Sequence, residues 1–290
     1  MANTQDVNQK IHSLGNMQKV MRAMNMIATI KLRKLFALQE SLKLFDLSVK
    51  NMIRQAAPAL RLDQSLLMVG HPKVLKAHII LFTADKGLCG SHNNSVYKAL
   101  ELLTEANRAK GIQIEVTCIG TKGGGYARKK GFTIFHQTEI NDRVFGSNEL
   151  QTLADAIYTR FLEGKVQVVY LINNVFVSTI HQETHSLRLL PLPFPDAAPN
   201  EKALLPPLIE PAAEEFMKEG GSLLFRYLLR SANAHSSLSE QASRMTAMEN
   251  ASNNAKDLTN RYIKVRNRAR QSSITNELIE IISGKEALKR

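Results

Sequence analysis

The chain has 290 residues, 44% of them hydrophobic, and its 38 Lys and Arg against 26 Asp and Glu leave a formal charge of +12. That length and apolar content allow one sizeable domain or two small ones and exclude an intrinsically disordered chain. The charge points to an acidic partner surface, but it is spread along the whole chain. Tryptophan is absent and no Lys/Arg run is interleaved with aromatics, which argues against nucleic-acid binding.

The two cysteines, Cys89 and Cys118, lack metal-type spacing and fit a reducing compartment without a disulfide framework. The longest apolar runs, 79–84 and 166–177, fall far short of the roughly 20 residues that span a bilayer. The opening residues Met1 to Asp6 have no apolar core. Neither a transmembrane helix nor a signal peptide is expected.

From Ile11, the positions Leu14, Met17, Met21, Met24, Ala28, Lys31, Leu35, Leu38, Leu42, Phe45, Val49 and Met52 recur in steps of three and four. That spacing keeps them on one stripe of a helix, as in a coiled-coil seam. It predicts a long helix over 1–60 that stops near Pro58, because the residue before a proline resists the helical conformation. A short irregular link, 61–76, carries Gly70 and Pro72.

The period then changes. Ala77–Thr83 has strand length, the turn Asp85-Lys86-Gly87 follows, and an amphipathic helix runs from about Asn94 to Lys110. Ile114–Ile119 is the next strand. Gly120 to Gly125 read as a glycine-rich turn, with a helical turn at Tyr126–Lys130, and Phe132–Phe135 is a third strand. A helix over Ser147–Glu163, a strand over Val166–Asn173 and a last strand over Leu187–Leu192 complete a domain spanning 77–195. Strands alternating with helices predict a parallel, doubly wound, Rossmann-like α/β sheet. Prolines from Pro191 to Pro211 mark an exit linker, 196–212.

Beyond Pro211 there is no proline, and a C-terminal helix is expected over 213–290, clearest from Leu238 to Leu288. Its seam reads Ala255, Leu258, Tyr262, Val265, Ala269 and Ser272, continued backwards by Ala242, Met245 and Met248. These side chains are small and polar for a stable pair. Two long seams at opposite ends of one chain pair most simply as an antiparallel coiled coil, with the intervening residues folded as a head. The fold class expected is therefore α/β plus coiled coil.

No chemical motif stands out. Gly120-Thr121-Lys122-Gly123-Gly124-Gly125 lacks the Gly-Lys-Ser/Thr ending of a phosphate loop and reads as a strand-to-helix connection needing positive φ. His181, Glu183 and His185 share one face of a strand without a further ligand beside them, the pattern of a polar surface. No nucleophile elbow is present. The methionines Met17, Met21, Met24 and Met26 suit both a helix core and an adaptable contact surface.

Three stretches carry a family resemblance. Ile11–Ala28, Glu240–Ala251 with its continuation through Ala269–Leu278 and Ser283-Gly284, and the turn Asp85-Lys86-Gly87-Leu88-Cys89-Gly90 resemble the F-type ATP synthase gamma subunit. The resemblance implies that the terminal helices form a shaft inside a hexamer of alpha and beta subunits. The α/β domain then lies against epsilon and the ring of c subunits, and catalysis resides on beta, so that this chain holds no catalytic residue, cofactor or metal. By matching positions, Met24, Ile27, Ala28 and Lys31 would stand near the beta lever loops, and Arg270, Gln271, Thr275 and Glu277 would meet the catch loops of the sleeve. Lys86, Gly87, Leu88, Cys89 and Gly90 would lie on the epsilon and c-ring side.

The resemblance also implies peripheral attachment to a bacterial inner membrane, on its cytoplasmic side and only through the complex. The absence of a transit peptide and of the cysteine-bearing insertion of chloroplast versions predicts a bacterial origin without a redox switch. Met17 and Met21 stand where the family usually has threonine. Gly220-Gly221 falls inside what should be a regular helix, at roughly 2 kcal/mol relative to alanine, which suggests an alternative operon type. The competing readings are a non-rotary coiled-coil adaptor with an α/β head and a hydrolase seated on that head.

Overall fold

The computed structural model describes residues 4–56, 65–139, 148–192 and 213–287. In chain order the elements are α1 (Thr4–Ala56), α2 (Leu66–Val69), β1 (Lys76–Phe82), α3 (His92–Arg108), β2 (Gln113–Ile119), α4 (Thr121–Lys129), β3 (Thr133–Thr138), α5 (Asn148–Leu162), β4 (Val168–Phe176), β5 (Gln182–Leu190) and α6 (Ala213–Ala287). The chain divides into two units, Met1–Ala28 with Met245–Arg290, and Thr29–Arg244. The expected linker 196–212 lies outside the described residues.

In the first unit α1 and α6 run antiparallel. The Asn25 side-chain amide donates to the Met245 carbonyl at 3.0 Å, and the Lys10 ammonium sits 5.6 Å above the Tyr262 ring. The covered face of α1 is Val7, Ile11, Leu14, Gln18, Met21, Asn25 and Ala28, a strict alternation of fours and threes. Met17, expected in this seam, is exposed and Gln18 takes its place. On α6 the covered positions are Met248, Ser252, Ala255, Thr259, Tyr262, Arg266 and Ala269, whereas Leu258, Val265 and Ser272 of the expected seam face outward. The expected spacing holds, and Ile11, Leu14, Met21, Ala28, Met248, Ala255, Tyr262 and Ala269 are covered as expected, while the alternate positions shift by one residue. With few large apolar residues on either side of the stripe, hydrophobicity does not select one phase, and the partner helix does.

In the second unit the sheet order is β3-β2-β1-β4-β5, parallel except for β5, which pairs antiparallel with β4. The expected parallel sheet is therefore mixed at one edge. β5 is joined to β4 by a short hairpin, and a parallel pairing would need a long crossover. Alternation along β1 sends Ile79 and Leu81 to one face, where they pack on Val96 and Leu100 of α3 and Ala127 of α4. Ile80 and Phe82 go to the other, against α2, Ile157 and Phe161 of α5, and Phe225 and Leu229 of α6. The sheet is thus wound on both faces, as the alternation of elements predicts.

Two local readings change. The link 61–76 contains α2, whose Leu67 and Met68 belong to the core. The glycines Gly123 to Gly125 lie inside α4 rather than in a turn, and of the run only Gly120 takes positive φ, at 106°. A Cβ at Gly120 would overlap the Thr83 carbonyl, so the close strand-to-helix approach needs glycine.

The N-terminal part of α6 is tied to α5 by a bidentate ion pair of Arg226 with Asp155, at 2.5 and 2.8 Å, and by the Tyr158 hydroxyl, which donates to the Lys218 carbonyl at 3.0 Å. This contact explains Gly221 inside a regular helix. A Cβ there would stand 2.5 Å from the Tyr158 hydroxyl oxygen and 2.7 Å from Leu67.

One buried ionic group lies on the same face of the sheet. Glu115 receives Lys76 at 2.6 Å, Arg160 at 2.7 Å and the His78 Nδ1 at 2.7 Å, while His78 Nε2 meets the Thr117 hydroxyl at 2.9 Å. Burial pushes the Glu115 carboxyl up, but the bonds from His78, Lys76 and Arg160 outweigh it and hold it at about 2. Burial lowers the His78 pKa, and that of His92 in α3 to about 3.

Two tests follow from this packing. Gly221→Ala should destabilise the full chain by about 1–3 kcal/mol through overpacking, whereas Gly15→Ala, with open space around it in α1, should gain about 0.5–1 kcal/mol. Equal urea midpoints for the two variants would refute the close contact. All three depressed pKa values make the folded state bind fewer protons than the unfolded one, so stability should fall as pH falls. The His92 part spans about pH 6.5 to 3 and the Glu115 part about pH 4.5 to 2. Urea unfolding of His92→Gln between pH 7 and 5 should show a shallower slope than wild type, and an unchanged slope would remove His92 from the account.

Candidate functional site

The shaft positions separate by exposure. Ile27 is exposed, Met24 is half-buried, and Ala28, at 1% exposure, belongs to the seam rather than to an outer surface. Lys31, in the second unit, is half-buried and its charge acts on the buried carboxyl of Glu240. Arg270, Gln271, Thr275 and Glu277 are all exposed, as is every side chain of α6 from Arg270 to Lys285. The Thr275 hydroxyl donates to the Gln271 carbonyl at 2.9 Å and Ser273 donates to Glu277 at 3.1 Å, so two of these polar groups serve their own helix.

Sequence reasoning passed over the apolar residues between them. Ile274, Leu278 and Ile281 lie at steps of four and three with Ile282 beside them, all exposed, an amphipathic stripe without a partner among the described residues of this chain. The signal was present as helical spacing of isoleucine and leucine. Upstream, Arg261, Lys264, Arg266, Arg268 and Arg270 place five cations within one stretch that holds no carboxylate between Asp257 and Glu277.

The turn after β1 is built differently. Leu88 takes φ 62° and Gly90 φ 58°, which turn the chain into α3. The Asn93 carboxamide receives the Ala84 N–H at 2.9 Å and donates to the Cys89 sulfur at 3.5 Å. Arg244 of α6 holds the turn from outside, donating to the Lys86 carbonyl at 3.3 Å and to Glu240 at 2.6 Å. Lys86, Gly87, Leu88 and Gly90 are exposed, but Cys89 is 3% exposed and packs inward. Of the five residues expected as contacts, Cys89 is thus an internal strut. Burial pushes its thiol pKa up, which keeps it an unreactive neutral thiol. Burial likewise raises the Glu240 carboxyl.

The amides that a Rossmann-like fold can offer to a phosphate are already engaged here. At the start of α4 the Asp85 carboxylate accepts the Thr121 N–H at 2.8 Å, and the Thr83 hydroxyl accepts the Gly123 N–H at 2.9 Å. An internal carboxylate therefore occupies the place of an anion. His181 and His185 both bond to the Glu183 carboxylate, at 3.2 and 3.3 Å, on an exposed surface. Among the described residues no group of three or more His, Cys, Asp or Glu side chains could hold a metal ion, and no helix is long and apolar enough to cross a membrane.

Comparison with known proteins agrees with this architecture. The family model described as ATP synthase matches residues 3–288. The ATP synthase gamma chain of Syntrophobacter fumaroxidans is 32% identical over 301 residues, and that of Nitratiruptor sp. is 34% identical over 303, each with 100% of both chains covered. Among solved structures, a chain of the Tetrahymena thermophila mitochondrial ATP synthase central stalk and c-ring superposes with a TM-score of 0.58 at 24% identity, covering 80% of this chain and 99% of that one. A chain of the Euglena gracilis mitochondrial ATP synthase rotor gives 0.64 at 16% identity, covering 93% and 98%. These two likenesses concern the fold, and the full-length sequence matches decide the family: the chain belongs to the ATP synthase gamma chains.

Proposed function

We propose that this chain is the central rotor shaft of a rotary F-type ATP synthase, coupling ion-driven rotation of a c ring to sequential conformational change at catalytic beta subunits. The observation that carries the reading is the end of α6. In a chain that matches the gamma chains along its whole given length, the helix continues past Ala269 with every side chain exposed from Arg270 to Lys285, an arrangement that needs a surrounding partner. A sleeve of alpha and beta subunits supplies it. Ile274, Leu278 and Ile281 bear on the sleeve, while Arg270, Gln271 and Glu277 meet polar groups of its loops. Arg270 makes the strongest type of contact available, a charge-assisted hydrogen bond. The cations from Arg261 to Arg270 face acidic loops of beta, with a contribution that salt weakens.

Hydrolysis and synthesis take place on beta, and this chain contributes no catalytic group. Ile27, Met24 and Lys31 act near the beta lever loops. Lys86 and Leu88 touch a neighbouring subunit on the epsilon and c-ring side, with Cys89 holding the turn from within. Attachment is peripheral, to the cytoplasmic face of a bacterial inner membrane, through the complex.

Tagging the chain in its native host and solubilising membranes gently should recover alpha, beta, delta, epsilon and c subunits. The accompanying ATPase activity should be lost when residues 270–290 are removed. Recovery of the chain alone, or with unrelated proteins and no ATPase, would leave a non-rotary scaffold in its place. A photo-crosslinker at Leu88 in the purified complex should label epsilon or c, and labelling of beta instead would move the turn to the sleeve side.

A further inference from the structure

Where α6 crosses the sheet, its sheet-facing stripe changes character. Phe225, Leu229, Ala232, Ser236 and Ser239 follow one another in alternating steps of four and three. Phe225 and Leu229 are fully buried, and Ser236 and Ser239 are buried just as completely. The strand opposite changes in the same way. On one face of β4, Val169 and Leu171 belong to the core and the next residue on that face is Asn173. An apolar layer between helix and sheet thus gives way to a polar one.

The hydrogen bonds inside the polar layer do not close. The Asn173 Nδ2 donates to the Ala232 carbonyl at 3.3 Å, and the Ser239 hydroxyl donates to the Asn174 carbonyl at 3.2 Å. The Asn173 Oδ1, the Ser236 hydroxyl and both polar atoms of the Asn233 side chain are left without a hydrogen-bond partner among the described residues. Asn173 is 2% exposed, and Asn233 and Ser236 are 0% exposed, so bulk water does not reach them. The three residues are neighbours. Asn233 and Ser236 stand three apart on the helix surface, and Ala232, whose carbonyl Asn173 holds, lies one turn before Ser236. A buried donor or acceptor without a partner carries its full desolvation penalty, and four such atoms in one patch call for a partner from outside the chain.

We propose that Asn173, Asn233 and Ser236 enclose an internal water site that completes the contact of α6 with β4. The class of occupant follows from the atoms. The Asn233 Nδ2 and the Ser236 hydroxyl donate, the Asn173 and Asn233 carbonyl oxygens accept, and water both donates and accepts, with about three such bonds for a buried molecule. An ion would satisfy one half of this set and repel the other. It would also bring a charge that nothing in the patch balances, since Glu240, the carboxylate one turn beyond Ser236, is taken by Arg244 at 2.6 Å and by the Gln241 amide at 3.3 Å. The change of filler from Phe225 and Leu229 to Ala232 and Ser236 favours a small occupant. The site lies within one unit of this chain and is independent of the rotor reading.

The test is a crystallographic or cryo-EM map of the full chain at a resolution that shows ordered solvent. Water density is expected within hydrogen-bond reach of at least two of Asn173, Asn233 and Ser236. A layer without density, or one filled by an ion or another solute, would overturn the proposal. Stability supplies an independent sign. In Ser236→Ala the water loses a partner, so the urea midpoint of the full chain should fall although alanine is the better helix former. A dry layer gives the reverse, because removing a stranded hydroxyl relieves its penalty. An equal or higher midpoint would therefore remove the water site.

Discussion

A helix of 75 residues cannot be sustained by intrinsic propensity, so α6 is the element on which the rest of the structure depends. Its needs differ along its length. Between Lys218 and Arg244 it is held by the sheet and α5, with Phe225 and Leu229 in the core and Arg226 paired to Asp155. From Met245 to Ala269 it is held by α1 through a narrow stripe. Beyond Ala269 nothing in the described part of this chain holds it. Each segment therefore carries a different side-chain chemistry under one continuous hydrogen-bond ladder.

The stripe between α1 and α6 is unusual in composition. Gln18 and Asn25 on one helix and Ser252, Thr259 and Arg266 on the other occupy positions that aliphatic residues fill in strongly associating pairs. Less apolar area is buried per turn, and more of the register is defined by directed bonds such as Asn25 to the Met245 carbonyl. A large apolar stripe on the outer surface would give a turning shaft deep energy wells against its sleeve. Here most of the exposed aliphatic side chains of α6 are gathered between Ile274 and Ile282, past the end of its pairing with α1.

The α/β unit serves the shaft by structural means. Its Rossmann-like winding presents the usual amide-rich start of α4, yet Asp85 and Thr83 occupy those amides, and the turn that supplies Asp85 is clasped by Arg244 of α6. The elements that bind a phosphate in other doubly wound folds here fasten one end of the sheet to a long helix. Tyr158 and Asp155 tie α5 to the same helix and His71 ties the loop before β1 to α5, and beside Tyr158 a methyl group at Gly221 has no room.

Residue order by itself determined the two long helices, the alternation of strands and helices, and the family, because periodicity of three and four, strand-length apolar runs and three matching motifs are local signals. The strand-to-helix role of Gly120 was legible for the same reason. Tertiary structure alone decided the seam phase, since choosing Gln18 over Met17 or Thr259 over Leu258 depends on where the partner helix lies and not on hydrophobicity. It decided that β5 returns antiparallel, that Gly123 to Gly125 continue α4, and that Cys89 and Ala28 are internal while Ile274 and Leu278 are displayed. In each case the outcome depends on contacts between residues distant in the chain, which no local pattern encodes.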